Sequence, residues 1–393
     1  MGGVILSGIC KTEPSGISVL KKSDAEEALI FVLKRIDANL PVFCDSFPAP
    51  ASRNGIYEQM ENVDWTASFW TGMLWLAYEA TGSVKYRDAA SKQVESFKAR
   101  LKNDICMETH DIGFLYTLSC VADYKLIGDE QARRTAVKAA DRLMKRYLEK
   151  PGIIQAWGSL DDPQNRGRMI IDCLMNLPLL YWAGENTGEK SYGAAALRHA
   201  QNAAKYLVRP DFSTFHTYYM DAETGKPKFG RTQQGLSDKS CWARGQAWGI
   251  YGFSISYLHT GNKNFFLTAE KLADYFLAHL PPDRVCGWDL SFTDISAERD
   301  SSAAAIAVCG LLELVRHMPL LDPKRMVYEN AALQIVASLI GRYLAKDEKF
   351  NGVLLHSMYS KPENKGVDEC TIWGDYFFME ALVRLTRFWR CYW

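Results

Sequence analysis

Residues 66–80, 111–126, 169–184, 243–259, 301–316 and 374–390 are apolar or small nearly all round, the pattern of helices with little exposure to water. Between them, residues 24–38, 84–101, 130–148, 192–207, 264–279 and 323–345 repeat apolar positions at helical spacing with charged residues on the opposite face. The two kinds alternate strictly, six of each. A helix that is apolar all round needs cover on every side, whereas an amphipathic helix needs it on one. The alternation therefore predicts an all-α chain of six hairpins, each an inner helix backed by an outer one, closed into an (α/α)6 barrel. An open α-solenoid is the alternative, but the repeats vary from roughly 45 to 70 residues, which suits a toroid with long loops better than a uniform array.

Three junctions share a turn chemistry. "YEATGSVKY", "AGENTGEKSY" and "YLHTGNKNF" each leave a helix through Thr-Gly, and a glycine there lets the helix end in the left-handed conformation. Short β segments are expected at 215–220 and 352–356 as minor hairpins in loops.

Composition narrows the class. Of 393 residues 48% are hydrophobic, enough for a large core, and no Pro/Ser/Gly-rich linker divides the chain. One domain over 1–393 is expected, with 1–20 a poorly ordered or loosely packed leading segment. The 46 basic and 46 acidic residues cancel, which excludes a nucleic-acid-coating protein. No run of about 18 apolar residues predicts a membrane span, and the first residues, "MGGVILSGICKTEP", lack the features of a secretory signal. The ten cysteines are scattered singly, with no Cys-x-x-Cys and no histidine pair at helical spacing, so neither a disulfide framework nor a metal site is expected. A reduced, cytoplasmic compartment fits these features.

The starts of the inner helices carry the candidate chemistry: "DWTASFW", "THDIGFLY", "RMIIDCL", "CWARGQAW", "ERDSSAAA" and "IWGDYFF". Each brings Trp, Asp, His or Arg to the same end of the barrel, where helix N-termini also favour an anionic ligand. Asp300 and Asp375 read most simply as helix caps. Asp172 does not, because Met169, Ile170 and Ile171 precede it without a turn residue, and an ionised carboxylate in such a run loses its hydration. Trp70 and Trp75 belong to the core, while tryptophans near loop–helix junctions suit the faces of sugars. No G-x-S-x-G, Walker, HExxH or G-x-G-x-x-G motif is present, and the glycines of "GQAWGIYG" fall at helix-packing spacing. What remains is two carboxylates, Asp111 and Asp172, in an aromatic pocket: the equipment of acid/base chemistry on carbohydrate.

Seven stretches in order, "HDIGFLY", "GIIQAWG", "IIDCLMNLPLLYWA", "FHTYYM", "WARGQAWGIYGF", "RDSSAAAIAVCGLLEL" and "TIWGDYFFMEALVRL", together resemble the unsaturated glucuronyl hydrolases of glycoside hydrolase family 88, from about Asp64 to about Arg387. The resemblance implies an (α/α)6 barrel and substrates left by polysaccharide lyases, sugars that begin with a 4,5-unsaturated uronic acid. It implies that an aspartate protonates C4 of the vinyl ether while water adds at C5, after which the hemiketal opens and releases the partner sugar. By this match Asp172 is the general acid/base and Asp111 the second essential carboxylate, with His110 in the same motif. Trp65, Trp157, His216, Gln234, Trp242, Arg244, Trp248 and Tyr359 match positions around the unsaturated sugar, and Gln233 beside them is a candidate substrate contact. Ser360 and Lys365 match a segment that reads Ser-x-x-Ser-x-Lys in relatives favouring sulfated substrates, but here Glu363 replaces the second serine, and Gln233 stands where relatives carry His or Arg. Losing a cation and gaining an anion should weaken a sulfate site, with Lys361 and Lys365 still present in the segment. The resemblance implies no metal or organic cofactor, an oligosaccharide as the partner, and a monomer or homodimer. Other readings are an unsaturated rhamnogalacturonyl hydrolase acting on pectin fragments, an inverting glycosidase on saturated sugars, and a helical-repeat binding protein. The last is disfavoured by the convergence of the polar residues on one end.

Overall fold

The computed structural model describes residues 20–393. The leading stretch 1–20 lies outside the described residues except for Leu20, which is buried. Six inner elements and six outer helices alternate as the pattern predicts. The outer helices are Lys22–Asn39, Val84–Lys102, Glu130–Met144, Lys190–Asn202, Lys263–Ala278 and Pro323–Ser338. The inner ones are Ala67–Thr81, a helix from Ile112 to Ile127 interrupted by the π-turn Thr117–Val121, Pro178–Thr187, Ala243–Thr260, Ser301–Arg316 and Ile372–Thr386. Each inner helix packs against the next around a ring, and Ile372–Thr386 closes it by contacting both Ala67–Thr81 and Lys22–Asn39. Trp70 and Trp75 are core residues, as expected.

Gly82, Gly188 and Gly261, the three Thr-Gly glycines, all take left-handed conformations (φ 70°, 77° and 64°) and end inner helices. The glycines of "GQAWGIYG" do packing work: a Cβ on Gly252 would stand 2.3 Å from Leu174 Cβ, and one on Gly245 3.3 Å from Ile171. The far end of the barrel is sealed by buried Arg384, paired with Glu313 at 2.7 Å and Glu380 at 2.9 Å, and by the Trp393 indole donating to Glu380. No helix among the described residues is long and apolar enough to cross a membrane.

Three expectations need correction. The stretch 169–184 is not one helix. Arg168–Ile170 is a strand, paired antiparallel to Thr217–Met220, which pairs in turn with Pro227–Arg231. A 3-10 turn, Ile171–Met175, follows, and only after Leu177 does Pro178 open an α-helix. Short apolar runs do not distinguish strand from helix, and the sheet edge captures this one. Second, 352–356 is a loop touching one bridge partner (Leu344 with Leu354), and the strand is Ser357–Ser360, paired with Lys365–Glu369. Third, Asp375 caps nothing. It lies inside its helix, buried, and takes hydrogen bonds from the backbone N–H groups of Val353 (3.0 Å) and Leu354 (2.9 Å) and from the Tyr57 hydroxyl (2.9 Å). Those N–H groups are thereby withdrawn from strand pairing. Asp300 does cap its helix, accepting from Ala303 N at 3.2 Å.

Candidate active site

The starts of the inner elements surround a cavity of about 430 Å³. Asp111, Asp172, Trp65, Trp157, His216, Gln233, Gln234, Trp242, Arg244, Trp248 and Tyr359 all line it. Three other expected residues do not. His110 is fully buried behind the carboxylates, Ser360 is buried with its hydroxyl turned to no partner, and Lys365 lies with its ammonium 4.0 Å from the centre of the Tyr359 ring. The wall also includes Val63, Asp64, Arg100, Cys106, Thr109 and Glu363. Arg100 is buried and donates to the Asn62 side chain and to the carbonyls of Val63, Asp64, Ile105 and Cys106, so it shapes this wall from behind.

The sheet and a close helix contact bring the two carboxylates together. Ile171 N donates to His216 O at 3.1 Å, which fixes Asp172 at the start of the 3-10 turn beside His216. Asp111 stands at the N-cap position of its helix, yet its carboxylate caps nothing. The Thr109 hydroxyl donates to it at 2.6 Å and the Asn176 amide at 3.4 Å. Asn176 is itself oriented by Phe114 N, which donates to its Oδ1 at 2.7 Å. Neither Thr109 nor Asn176 was singled out from sequence, although their spacings, two before Asp111 and four after Asp172, carried the signal.

Burial pushes both carboxyls up. Asp111 is raised to about 6, with Thr109 and Asn176 pulling the other way, and Asp172 is raised well above its ordinary value by burial and then by the charge of Asp111. The two environments differ in kind. Asp111 takes hydrogen bonds that favour its ionised form, whereas Asp172 Oδ1 has no hydrogen-bond partner among the described residues. Burial and the neighbouring charge of Asp111 thus both push Asp172 toward its protonated form.

The Nε2 of His110 stands 3.4 Å from Asp111 Oδ1 and 3.4 Å from Asp172 Oδ1. One atom from each of these three residues lies within 4.8 Å of the others, the spacing of a three-ligand metal site. Burial holds His110 neutral, lowered to about 3. Which nitrogen bears its proton decides whether the trio shares a proton or ligates an ion.

His216 is neutral for the same reason. Gln233 N (3.0 Å) and Gln234 N (3.2 Å) both donate to its Nδ1, so its proton sits on Nε2. Its ring lies 4.3 Å from that of Trp242. Arg244 is buried between Trp242 and Trp373, at 4.6 and 5.0 Å from the two ring centres. It donates to Asp300 at 2.8 Å, to Gln234 Oε1 at 2.7 Å, to Tyr359 O at 2.6 Å and to Met358 O. Asp300, read from sequence as a cap alone, is thus also the counter-ion of Arg244. The Trp65 indole donates to the Tyr359 hydroxyl at 3.1 Å, and Trp65 and Trp248 both pack on Phe114.

Paired carboxylates, Asp111 buried and Asp172 half-buried, on the floor of an aromatic cleft at the mouth of an (α/α)6 barrel define a glycoside hydrolase. The chain belongs to the family described as Glycosyl Hydrolase Family 88, whose profile matches residues 42–348. It is 47% identical over 378 residues to the unsaturated chondroitin disaccharide hydrolase of Streptococcus agalactiae, spanning 95% of this chain and 94% of the relative. Over 357 residues it is 45% identical to the unsaturated glucuronyl hydrolase of Bacillus sp. (strain GL1), spanning 90% of this chain and 95% of that one. The crystal structure of unsaturated glucuronyl hydrolase from Streptococcus agalactiae superposes with a TM-score of 0.94 at 44% identity, covering 100% of both chains.

Proposed function

We propose that this enzyme releases the 4,5-unsaturated uronic acid from the non-reducing end of lyase-generated glycosaminoglycan disaccharides, with Asp172 as the acid and then the base. The carrying observation is the unequal pair: two carboxyls flank one histidine nitrogen at 3.4 Å, and Asp111 accepts side-chain hydrogen bonds from Thr109 and Asn176 while Asp172 Oδ1 has no partner among the described residues. The names of the relatives favour glycosaminoglycan over pectin fragments.

Asp172 delivers its proton to C4 of the vinyl ether, and the C4=C5 electron pair forms the new C–H bond. The cation left at C5 is shared with the ring oxygen. Water adds at C5 and gives its proton to the Asp172 carboxylate, so the acid is regenerated in one cycle. The hemiketal at C5 then opens, leaving a ketone at C5 and a hemiacetal at C1, which collapses to free the partner sugar. Asp111 stays ionised and accepts from a ring hydroxyl. The His216 Nε2–H donates toward the sugar, and Arg244, held by Asp300, supplies positive charge for the uronate. Trp65, Trp157, Trp242 and Trp248 offer flat apolar faces to the ring. The described cysteines are all free thiols, which supports a reducing, cytoplasmic setting. We read the whole chain as one catalytic domain acting as a monomer or homodimer.

The conjugated double bond absorbs in the ultraviolet. The purified protein should bleach that absorbance from chondroitin or hyaluronan lyase digests faster than from rhamnogalacturonan lyase products. Faster bleaching of the pectin fragments would reverse the substrate assignment, and sugar release without bleaching would refute vinyl ether hydration.

A further inference from the structure

We infer that His199, on an outer helix and remote from the cavity wall, is a positioning residue that holds His110 in the tautomer bearing its proton on Nε2, which makes His110 a hydrogen-bond donor to the carboxylate pair and not a metal ligand.

The argument starts at the backbone. Ile154 N donates to His199 Nδ1 at 2.8 Å. A ring nitrogen that accepts has no proton, so in the neutral ring the proton is on Nε2. His199 is fully buried, and burial keeps it neutral. Its Nε2–H is therefore an obligate buried donor, and it has no partner among the described side chains and backbone groups. His110, also fully buried, has two unpartnered ring nitrogens: Nε2, 3.4 Å from each carboxylate, and Nδ1 on the other side.

The two histidines are brought together by one short stretch of chain. His110 N donates to Ala156 O at 3.1 Å, while Ile154, two residues before it on the same extended segment, donates to His199. A charge on His110 would weigh on His199, whose pKa it lowers beside the larger effect of burial. As placed the two atoms make no hydrogen bond; a small turn of either ring would let the orphan donor meet the orphan acceptor, and buried polar groups seldom stay unpaired. Donation from His199 to His110 Nδ1 forces the His110 proton onto Nε2. The chain then runs from Ile154 N–H through His199 and His110 to the carboxylates. Its end is a neutral N–H aimed between Asp111 and Asp172, which stabilises one negative charge shared by the pair without adding a positive one. Arg146 and His216 are the other titratable groups near these rings. A metal would need the Nε2 lone pair, which this tautomer does not have.

The inference about structure stands by itself, and only its rate consequence rests on the proposed reaction. The test is nitrogen-15 NMR of the full chain labelled at its seven histidines, with His110 assigned by its loss in a His110→Phe variant. Two-bond couplings separate the two neutral tautomers. The expected result is His110 with a bare Nδ1 and a protonated Nε2, unchanged on adding equimolar Zn²⁺. In His199→Phe the His110 signal should shift to the other tautomer or a mixture, with kcat down about 10-fold and KM nearly unchanged. His199→Gln keeps one acceptor and one donor and should restore both. His110 protonated on Nδ1 in the parent enzyme, or a His110 signal displaced by Zn²⁺, would overturn the inference. A parent-like tautomer in His199→Phe would also overturn it. An altered tautomer with an unaltered rate would leave the hydrogen-bond chain standing and remove its role in catalysis.

Discussion

Gly113 and Asn176 touch through their backbones: a Cβ on Gly113 would stand 2.3 Å from both Cα and O of Asn176. This contact joins the element that starts with Asp111 to the end of the Ile171–Met175 turn, which carries Asp172. Gly113→Ala must push the two apart. Loss of roughly 1–3 kcal/mol of stability is expected from overpacking a buried backbone contact. A fall of at least about 10-fold in kcat/KM should accompany it, because displacement of the pair by about 1 Å misaligns the proton donor. Thermal unfolding and steady-state kinetics on the same preparation check this. Parent-like activity would show that the spacing of the pair is not set here.

Asn176 also tunes Asp111. Its amide donates to the Asp111 carboxylate and so favours the ionised form. Asn176→Leu removes that donor, and a hydrogen bond to a charged group is worth roughly 1.5 kcal/mol, about one pH unit. The acid limb of kcat/KM, set by ionisation of Asp111 near pH 6, should move to higher pH by up to that amount. The alkaline limb, set by Asp172 losing the proton it must donate, should move less.

Function at this site opposes stability. The folded protein holds a proton on Asp172 well above the pH at which the unfolded chain releases it. Between the two pKa values the folded state binds more protons, so stability falls as pH rises through that window. Asp172→Asn removes the buried charge. Its Tm should exceed the parent's by about 2 °C or more at pH 8, and the difference should vanish toward pH 4. An equal gap at both pH values would mean that charge burial is not its cause.

Sulfated fragments should be poor substrates. Glu363 lines the cavity, Lys361 is paired with Glu298, and Lys365 is turned onto the Tyr359 ring. Lys361 is thus engaged with an anion and Lys365 with an aromatic face, while Glu363 sets a negative charge on the cavity wall. Glu363→Ser should raise kcat/KM for 6-sulfated relative to unsulfated disaccharide by roughly 5-fold, the order expected from removing one like charge near a partly exposed anion. An unchanged ratio would place the sulfate elsewhere.

The alternation of all-round apolar and amphipathic helices was legible because it records burial directly, and the Thr-Gly exits were legible because left-handed helix ends select glycine. Asp172 stood out as a carboxylate in an apolar run, a purely local signal. The strand before it did not, because Met169 and Ile170 are buried in strand and helix alike and only the pairing with Thr217–Met220 decides. Asp375 looked like a cap because the loop it anchors, at Val353 and Leu354, is close in space and distant in sequence. His199 was invisible for a related reason. It sits on an ordinary amphipathic helix, and its meaning depends on which nitrogen Ile154 N occupies.

The most direct test of Asp172 as the proton donor is the first-order rate of ultraviolet bleaching of an unsaturated chondroitin disaccharide by Asp172→Asn and by the parent, at saturating enzyme and at the optimum pH. General acid/base groups contribute roughly 10²–10⁴-fold, and the whole of that factor is expected to disappear while the variant stays folded. Bleaching at the parental rate would contradict the assignment of Asp172 and the mechanism built on it.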